Sequence, residues 1–337
     1  MVDLGTKYMG IELANPIIVG ACGLTSNIAA IKEIERAGAG ALVTKSLFEE
    51  QIQLERFKFD EDLEKYNSRN PEMVDIYPHV THGGPNEHLM WVRKVKKAVN
   101  IPVFASLNAI NKSTWIEYAK LLEETGIDGL EINLFASPRD PNVKAEVIEN
   151  SQIDLITMLK KTLSIPISVK LSSFYTNVLN VISLMDHAGA DAFVLFNKIF
   201  APDIGVQESK ILSPITFSTE IDARLPLRYA ALLESTVKAD ICCSTGIIDG
   251  EQALKMILAG ATTIQVVSAL YRYGTPHIQS MLTSIQKWME TNGHETLANF
   301  RGKLSKRNIA DPWAYTRAQY VRLLMNTDEI INNAPVI

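Results

Sequence analysis

Four stretches of the chain share one pattern, a turn of small residues that contains glycine followed by a short apolar run rich in β-branched side chains. They are residues 37–43, 125–132, 188–195 and 259–266. Each glycine follows a helical pattern and suits the position just after a helix, where φ is above zero. Each apolar run is too short for a helix and predicts a buried strand.

Further strands are predicted near Ile17, at 100–105 and 164–169, where each run is entered through a proline, and at 239–244. Apolar residues spaced by three and four predict the intervening helices. These cover residues 28–37, 87–99, 114–124, 152–163, 177–187, 227–238, 251–258 and 277–290. Eight strands alternating with eight helices predict an α/β fold, a (β/α)8 TIM barrel with parallel strands and right-handed crossovers.

Two long segments interrupt this rhythm, residues 47–85 after the second strand and 198–225 after the sixth. Both leave the carboxyl ends of strands, the face where barrel active sites lie. Loops of this length are usually lids over a site, although surface decoration is the alternative. We expect the barrel to occupy residues 1–304 and a C-terminal helical extension, packed on the barrel, to occupy 305–337.

Composition narrows the function classes. The 337 residues are 47% hydrophobic and 21% charged, an ordinary globular balance that one barrel can accommodate. A net charge of −5 gives no reason to expect nucleic acid. No apolar run reaches the roughly 18 residues of a membrane span, and no signal peptide is visible, so we expect a cytoplasmic protein. The three cysteines, Cys22, Cys242 and Cys243, lack metal-type spacing and predict reduced thiols without a metal site.

Polar side chains stand at the predicted strand ends. Two are lysines, Lys45 and Lys170, and three are asparagines, Asn108, Asn133 and Asn197. A lysine is costly to bury unless it meets an anion, and an amide satisfies both donor and acceptor edges of a planar heterocycle. Each residue alone could be structural, but five converging on one mouth indicate a ligand site.

The remaining strand ends carry small residues. The first strand ends in Gly20-Ala21-Cys22-Gly23, where a flat ligand can approach the backbone closely. The last two strands end in Ser244-Thr245-Gly246 and Val267-Ser268. In β/α barrels these last two loops usually form a phosphate cup. The same residues could serve as plain caps in a barrel without a ligand.

The ordered motifs then extend over roughly residues 4 to 304. They are Asn15-Pro16, Ala21-Cys22-Gly23, Thr44-Lys45-Ser46, Gly83-Gly84-Pro85-Asn86, Val169-Lys170-Leu171, Gly246-Ile247 and the stretches 250–253, 260–265 and 300–304. As a set they resemble the dihydroorotate dehydrogenase family in its soluble class 1 form. The resemblance implies an oxidoreductase that uses FMN to convert dihydroorotate to orotate in pyrimidine biosynthesis. A base removes a proton alpha to a carbonyl while hydride passes to the flavin.

The resemblance also implies where the flavin lies. Its ring lies over Ala21, Cys22 and Gly23, and Lys170 faces the N1–C2 edge. The phosphate lies on the last two loops, at Ser244, Thr245, Gly246, Val267 and Ser268. Lys45 reaches both flavin and substrate and is a catalytic residue. Asn133 and Asn197 hold the flavin and the substrate ring, and Ser46 and Asn108 also contact the cofactor.

The sequence departs from the family around the catalytic base, which precedes a proline. Aligning on Pro138 makes Ser137 the base and needs one inserted residue. Aligning on Asn133 without a gap places Ala136 there and leaves no base. We favour Ser137. Arg139 replaces one substrate amide and could clamp a carboxylate, and Val80 replaces another. The substrate is therefore dihydroorotate, or alternatively another pyrimidine or unsaturated acid.

Two other classes stay open. An RNA-modifying flavin barrel is disfavoured by the acidic composition, and a non-catalytic barrel that binds a phosphorylated ligand fits the alignment without a base. The electron acceptor is not specified by the sequence, and fumarate, NAD through a partner subunit and oxygen all remain candidates. By resemblance we expect a homodimer that acts on a small molecule, with no membrane partner.

Overall fold

The computed structural model describes residues 2–53, 85–135 and 140–325. The chain begins with an antiparallel hairpin of β1 (Thr6–Tyr8) and β2 (Ile11–Leu13). Eight parallel strands then close into a barrel. They are β3 (Ile17–Val19), β4 (Ala41–Val43), β6 (Val103–Asn108), β7 (Gly129–Asn133), β8 (Ile167–Leu171), β9 (Ala192–Leu195), β12 (Asp240–Ser244) and β13 (Thr263–Val266). Strand β13 pairs with β3, and β4 pairs with β6, so the ring is complete and the predicted TIM barrel is confirmed.

The helices surround this barrel close to where the hydrophobic spacing predicts them. They are α1 (Ile28–Arg36), α2 (Pro85–Ala98), α3 (Lys112–Glu123), α4 (Ala145–Thr162), α5 (Val178–His187), α6 (Arg224–Leu233), α7 (Gly250–Ala259), α8 (Ser268–Tyr273), α9 (His277–Thr291) and α10 (Arg317–Met325). Helix α4 begins seven residues before the predicted start at 152. Its first two turns are largely exposed and therefore lack the apolar stripe from which a helix is predicted.

Alternating residues along the strands separate two cores. Outward residues such as Leu130, Val169 and Phe193 pack under the helices. Inward residues such as Ile18 and Val194 pack with the N-terminal hairpin in a second cluster. The Met9 N–H donates to Asp240 at the start of β12 (2.8 Å), so the hairpin closes the amino end of the barrel. The carboxyl end is left for a site.

The turn glycines of the recurring pattern all have positive φ, as predicted. The values are +89° at Gly38, +84° at Gly126, +102° at Gly189 and +125° at Gly260. Their conformation lets each helix end and the chain enter the next strand directly.

The two long segments differ in what they form. The first contains β5 (Leu47–Phe48), which runs beside β6, and it continues beyond the described residues from 54 to 84. The second forms an exposed antiparallel hairpin, β10 (Asp203–Gly205) and β11 (Lys210–Leu212), followed by a 3-10 helix at Glu220–Ala223.

The chain after the barrel contains a 3-10 helix, Pro312–Tyr315, and then α10. The Tyr315 hydroxyl donates to the Leu304 carbonyl (2.5 Å), which ties this region to the end of the barrel. The expected boundary between residues 304 and 305 stays a prediction. Across the described residues, every helix is too short or too polar to cross a membrane.

Candidate active site

The turn after β3 lies closely against the last strand. A Cβ on Gly20 would come within 2.9 Å of Val267 Cγ2 and 3.1 Å of Gln265 Oε1. The Gly23 N–H donates to the Tyr271 hydroxyl of α8 at 2.8 Å. Small residues are therefore needed here, and the turn from Gly20 to Gly23, which includes Ala21, forms one wall of the barrel mouth. Cys22 lies in this turn, and burial raises the pKa of its thiol.

A buried ionic group lies directly below that turn. Lys170 is 7% exposed, and its Nζ donates to Gln265 Oε1 at 3.0 Å. The Gln265 Nε2 in turn donates to Glu131 Oε2. The other carboxylate oxygen, Glu131 Oε1, lies 3.7 Å from Lys170 Nζ. Three inward side chains from β8, β13 and β7 thus form a continuous charged and polar layer.

The asparagines of the neighbouring strands join this layer. Asn133 is aligned with Lys170 in the pairing of β7 with β8. The Asn197 Nδ2 donates to Asn133 Oδ1 at 3.2 Å. The structure therefore brings Lys170, Asn133 and Asn197 together at adjacent strand ends, as the sequence predicts.

Lys45 and Ser46 follow the second barrel strand, β4, and Asn108 ends the third, β6. Ser46 forms a buried hydrogen bond with Ser106 (2.7 Å), and Asn108 lies opposite Phe48 of β5. Lys45 follows β4 and faces His88 of α2. Burial, and secondly the charge of Lys45, lowers the pKa of His88 to about 4. The segment after β4 and helix α2 form the side of the barrel mouth next to the turn after β3.

Glu49 holds the two strand exits on this side together. Its carboxylate accepts the N–H of Asn111 at 2.8 Å and also the N–H of Ile110, just before α3. Those hydrogen bonds lower the pKa of Glu49, against the burial that would raise it. The segment after Lys45 is thereby fixed to the segment after Asn108.

The two loops predicted to hold a phosphate follow β12 and β13, on the other side of the turn after β3, because β13 pairs with β3. Thr245 and Gly246 both have φ of +78°, and the Thr245 hydroxyl donates to the Phe196 carbonyl (2.8 Å). Ser244 is buried at the end of β12. Val267 is the N-cap of α8, and its side chain provides no cap, so the first N–H groups of this helix have no side-chain acceptor there. Ser268 accepts hydrogen bonds from the N–H and hydroxyl of Ser218.

Several predicted residues lie outside the described part of the chain. Ala136, Ser137 and Arg139 belong to the 136–139 gap, and Val80 and Gly83-Gly84 belong to the 54–84 gap. The identity of the base and the substrate clamp therefore stays a prediction. Within the described residues, no group of His, Cys, Asp and Glu side chains could hold a metal ion.

Sequence reasoning missed two residues of the buried layer, Glu131 and Gln265. Both are polar residues within apolar strand runs, at alternate positions that face inward. That signal was present in the sequence. The contact between the two side chains could not be read from the sequence, because β7 and β13 are not neighbours in the barrel.

The sequence is similar to those of known proteins of one family. A family model described as dihydroorotate dehydrogenase matches residues 82–289. Among curated proteins, the catalytic subunit of dihydroorotate dehydrogenase B (NAD(+)) from Thermoplasma volcanium is 27% identical over 314 residues, covering 91% of this chain and 100% of the relative. The protein of the same name from Thermoplasma acidophilum is 25% identical, covering 90% and 99%. That from Methanocaldococcus jannaschii is 24% identical, covering 80% and 88%.

Proposed function

The chain belongs to the dihydroorotate dehydrogenase family, and we propose that it is an FMN-dependent oxidoreductase that converts dihydroorotate to orotate. The observation that carries the proposal is the buried Lys170 ammonium beneath the small-residue turn, with the Asn133 and Asn197 amides beside it. A cation and two amides at one strand-end layer are suited to a planar ring that becomes negatively charged on reduction.

The residues present fit FMN. Any side chain on Gly20 would collide with Gln265 and Val267, so at this position the wall of the mouth is backbone, which a flat ring can approach. Loops with positive φ at Thr245 and Gly246 and the uncapped start of α8 lie at consecutive strand ends, as a phosphate requires. Bound FMN would supply the two-electron oxidant for the reaction.

Each of the chain's own residues then has a defined task. Lys170 supplies positive charge at the ring edge, held in place by Gln265. Asn133 and Asn197 orient ring and substrate through their remaining amide groups. Lys45 contributes a second cation near the substrate. Ser46 and Asn108 form the neighbouring wall, and Ser244, Thr245, Gly246, Val267 and Ser268 hold the phosphate.

We assign proton removal to Ser137 and carboxylate binding to Arg139. A serine is an effective base only where a path carries its proton away, and a general base typically contributes about 100- to 10,000-fold in rate. Arg139 presents a planar fork that matches a carboxylate with two hydrogen bonds.

The relatives' names extend the proposal to the electron acceptor. They are named as catalytic subunits of an enzyme that uses NAD(+). We propose that this chain likewise delivers electrons to NAD through a further subunit, and that it forms a homodimer in the cytoplasm. Co-purification of the native complex from its source, followed by sedimentation, tests both assemblies.

Reconstitution with FMN tests the catalytic proposal. The purified chain should take up FMN and turn yellow, and anaerobic addition of dihydroorotate should bleach the flavin absorbance and release orotate. Protein that stays colourless after incubation with FMN would contradict the cofactor. Protein that binds FMN but is bleached by dithionite and not by dihydroorotate would contradict the substrate.

A further inference from the structure

Glu131 is a buried carboxylate with no task in the reaction as described. It is 1% exposed, and its Oε1 has no hydrogen-bond partner among the described residues. We infer that Glu131 is a positioning and tuning residue: it opposes the charge of Lys170 and so lowers the reduction potential of the bound FMN. This inference rests on the proposed function, since it requires FMN above Lys170.

Gln265 links Lys170 to Glu131 in a single orientation. Its amide oxygen accepts from Lys170, and its amide nitrogen donates to Glu131, so both ends of the amide are used. The same oxygen lies 3.1 Å from the position of a Cβ on Gly20, directly under the turn. Lys170 is therefore held between the Glu131 carboxylate and the mouth, with its remaining N–H groups available to a ligand.

A neutral side chain would satisfy these hydrogen bonds equally well. A glutamine at position 131 could accept from Gln265 Nε2 without the cost of burying a carboxylate. What a carboxylate adds is negative charge, 3.7 Å from Lys170 Nζ. The charge is thus the distinguishing property of this residue.

Two other titratable groups that face the inner layer, Tyr8 and Cys242, have raised pKa values. Burial raises the pKa of Tyr8 well above its usual value, and burial raises the pKa of Cys242 to about 12. Asp240 lies at the amino end of the barrel, where it accepts from Met9. Among the described inward residues of β7, β8 and β13, Lys170 is the basic side chain and Glu131 the acidic one, and Lys45 lies outside these strands, after β4.

The direction of the change in the FMN reduction potential follows from the charges involved. The ion pair is neutral as a unit, and reduction of FMN adds negative charge to the ring edge that Lys170 faces. Glu131 repels that charge and offsets part of the attraction by Lys170. In a poorly solvated interior such interactions are strong and weakly screened. Removing the carboxylate charge should favour reduced over oxidised FMN.

The test is the midpoint potential of FMN bound to Glu131→Gln, measured anaerobically at pH 6 against a reference dye. We expect reduced FMN to gain at least tenfold in binding relative to oxidised FMN, equivalent to a rise of about 30 mV for a two-electron couple. Asp240→Asn is the matched control, because it removes a different partly buried carboxylate of the barrel and should leave the potential unchanged.

Two results would overturn the inference, an unchanged potential or a lowered one in FMN-loaded Glu131→Gln. If that variant does not fold, Glu131→Asp is the second variant, because it keeps the charge but withdraws it from Lys170. A smaller rise in the midpoint potential is then expected. No rise in the potential of Glu131→Asp also overturns the inference. Failure of the unmodified protein to bind FMN is a separate outcome, since it overturns the proposed function and this inference with it.

Discussion

At the scale of single residues, the proton acceptor is the position on which the two alignments disagree. If Ser137 is the base, Ser137→Ala should slow flavin reduction by dihydroorotate by about 100- to 10,000-fold while FMN content stays normal. Ser137→Cys should keep some activity and shift its pH dependence downward, because a thiol ionises more readily than a hydroxyl. Anaerobic stopped-flow absorbance measures both.

Ser172 provides the control for that experiment. Its buried hydroxyl accepts from the Phe174 N–H (3.3 Å) just after β8, close to the mouth but without a role in the reaction. The Ser172→Ala variant should reduce its flavin at the same rate as the unmodified protein. If Ser137→Ala does so as well, the alignment that places Ala136 at the base position is correct and dihydroorotate oxidation by this mechanism is excluded.

A second residue-scale prediction concerns His88. Its folded pKa of about 4 lies below the ordinary 6.5, so between these values the unfolded chain binds a proton that the folded chain does not. The free energy of unfolding should therefore fall as pH falls from about 6.5 to about 4, by up to about 3 kcal/mol from this residue.

His88→Gln should remove that part of the pH dependence, and urea unfolding at pH 5 and pH 7 measures it. His187→Gln, which changes an exposed histidine on α5, is the control and should retain the full dependence. Equal slopes in the two variants would show that His88 is not held neutral by the fold.

At the scale of elements, the loop after β12 depends on a backbone conformation. Gly246 has φ of +78°, and a Cβ there would lie 2.7 Å from the Thr219 carbonyl oxygen and nearer still to the Ala223 nitrogen. This close approach positions the 3-10 helix Glu220–Ala223 against the loop. Gly246→Ala should therefore destabilise the protein and weaken FMN binding.

Gly126 distinguishes backbone strain from steric contact as the cause of the destabilisation. It has φ of +84° with open space around its Cβ position, so Gly126→Ala incurs backbone strain alone, about 1–2 kcal/mol, with FMN affinity unchanged. Gly246→Ala should lose clearly more in urea unfolding and in FMN titration. Equal losses would mean that the contact with Thr219 and Ala223 is relaxed at little cost.

At the scale of the whole molecule, cofactor binding should stabilise the barrel. FMN at 100 times its Kd should raise the free energy of unfolding by about 2.7 kcal/mol, because it binds the folded state alone. Riboflavin at the same concentration should raise it much less, since it cannot use the loops after β12 and β13. Thermal unfolding followed by circular dichroism compares them, and equal stabilisation would contradict the phosphate site.

Much of this protein is determined by local patterns in its sequence. Apolar runs of strand length, helical spacing and glycines with positive φ predict the barrel, because each reflects a local backbone preference. The barrel in turn brings strand ends to one face, so Lys170, Asn133 and Asn197 could be predicted to meet there.

Tertiary structure alone decided the partners within that face. Glu131, Lys170 and Gln265 come from three strands, and β13 lies across the barrel from the other two, so their charge pairing depends on the closure of the ring. The same holds for the turn at Gly20, whose small residue is explained by β13 packing against it. Contacts between residues distant in sequence carry no local signature, because they arise from where strands lie and which way their side chains point.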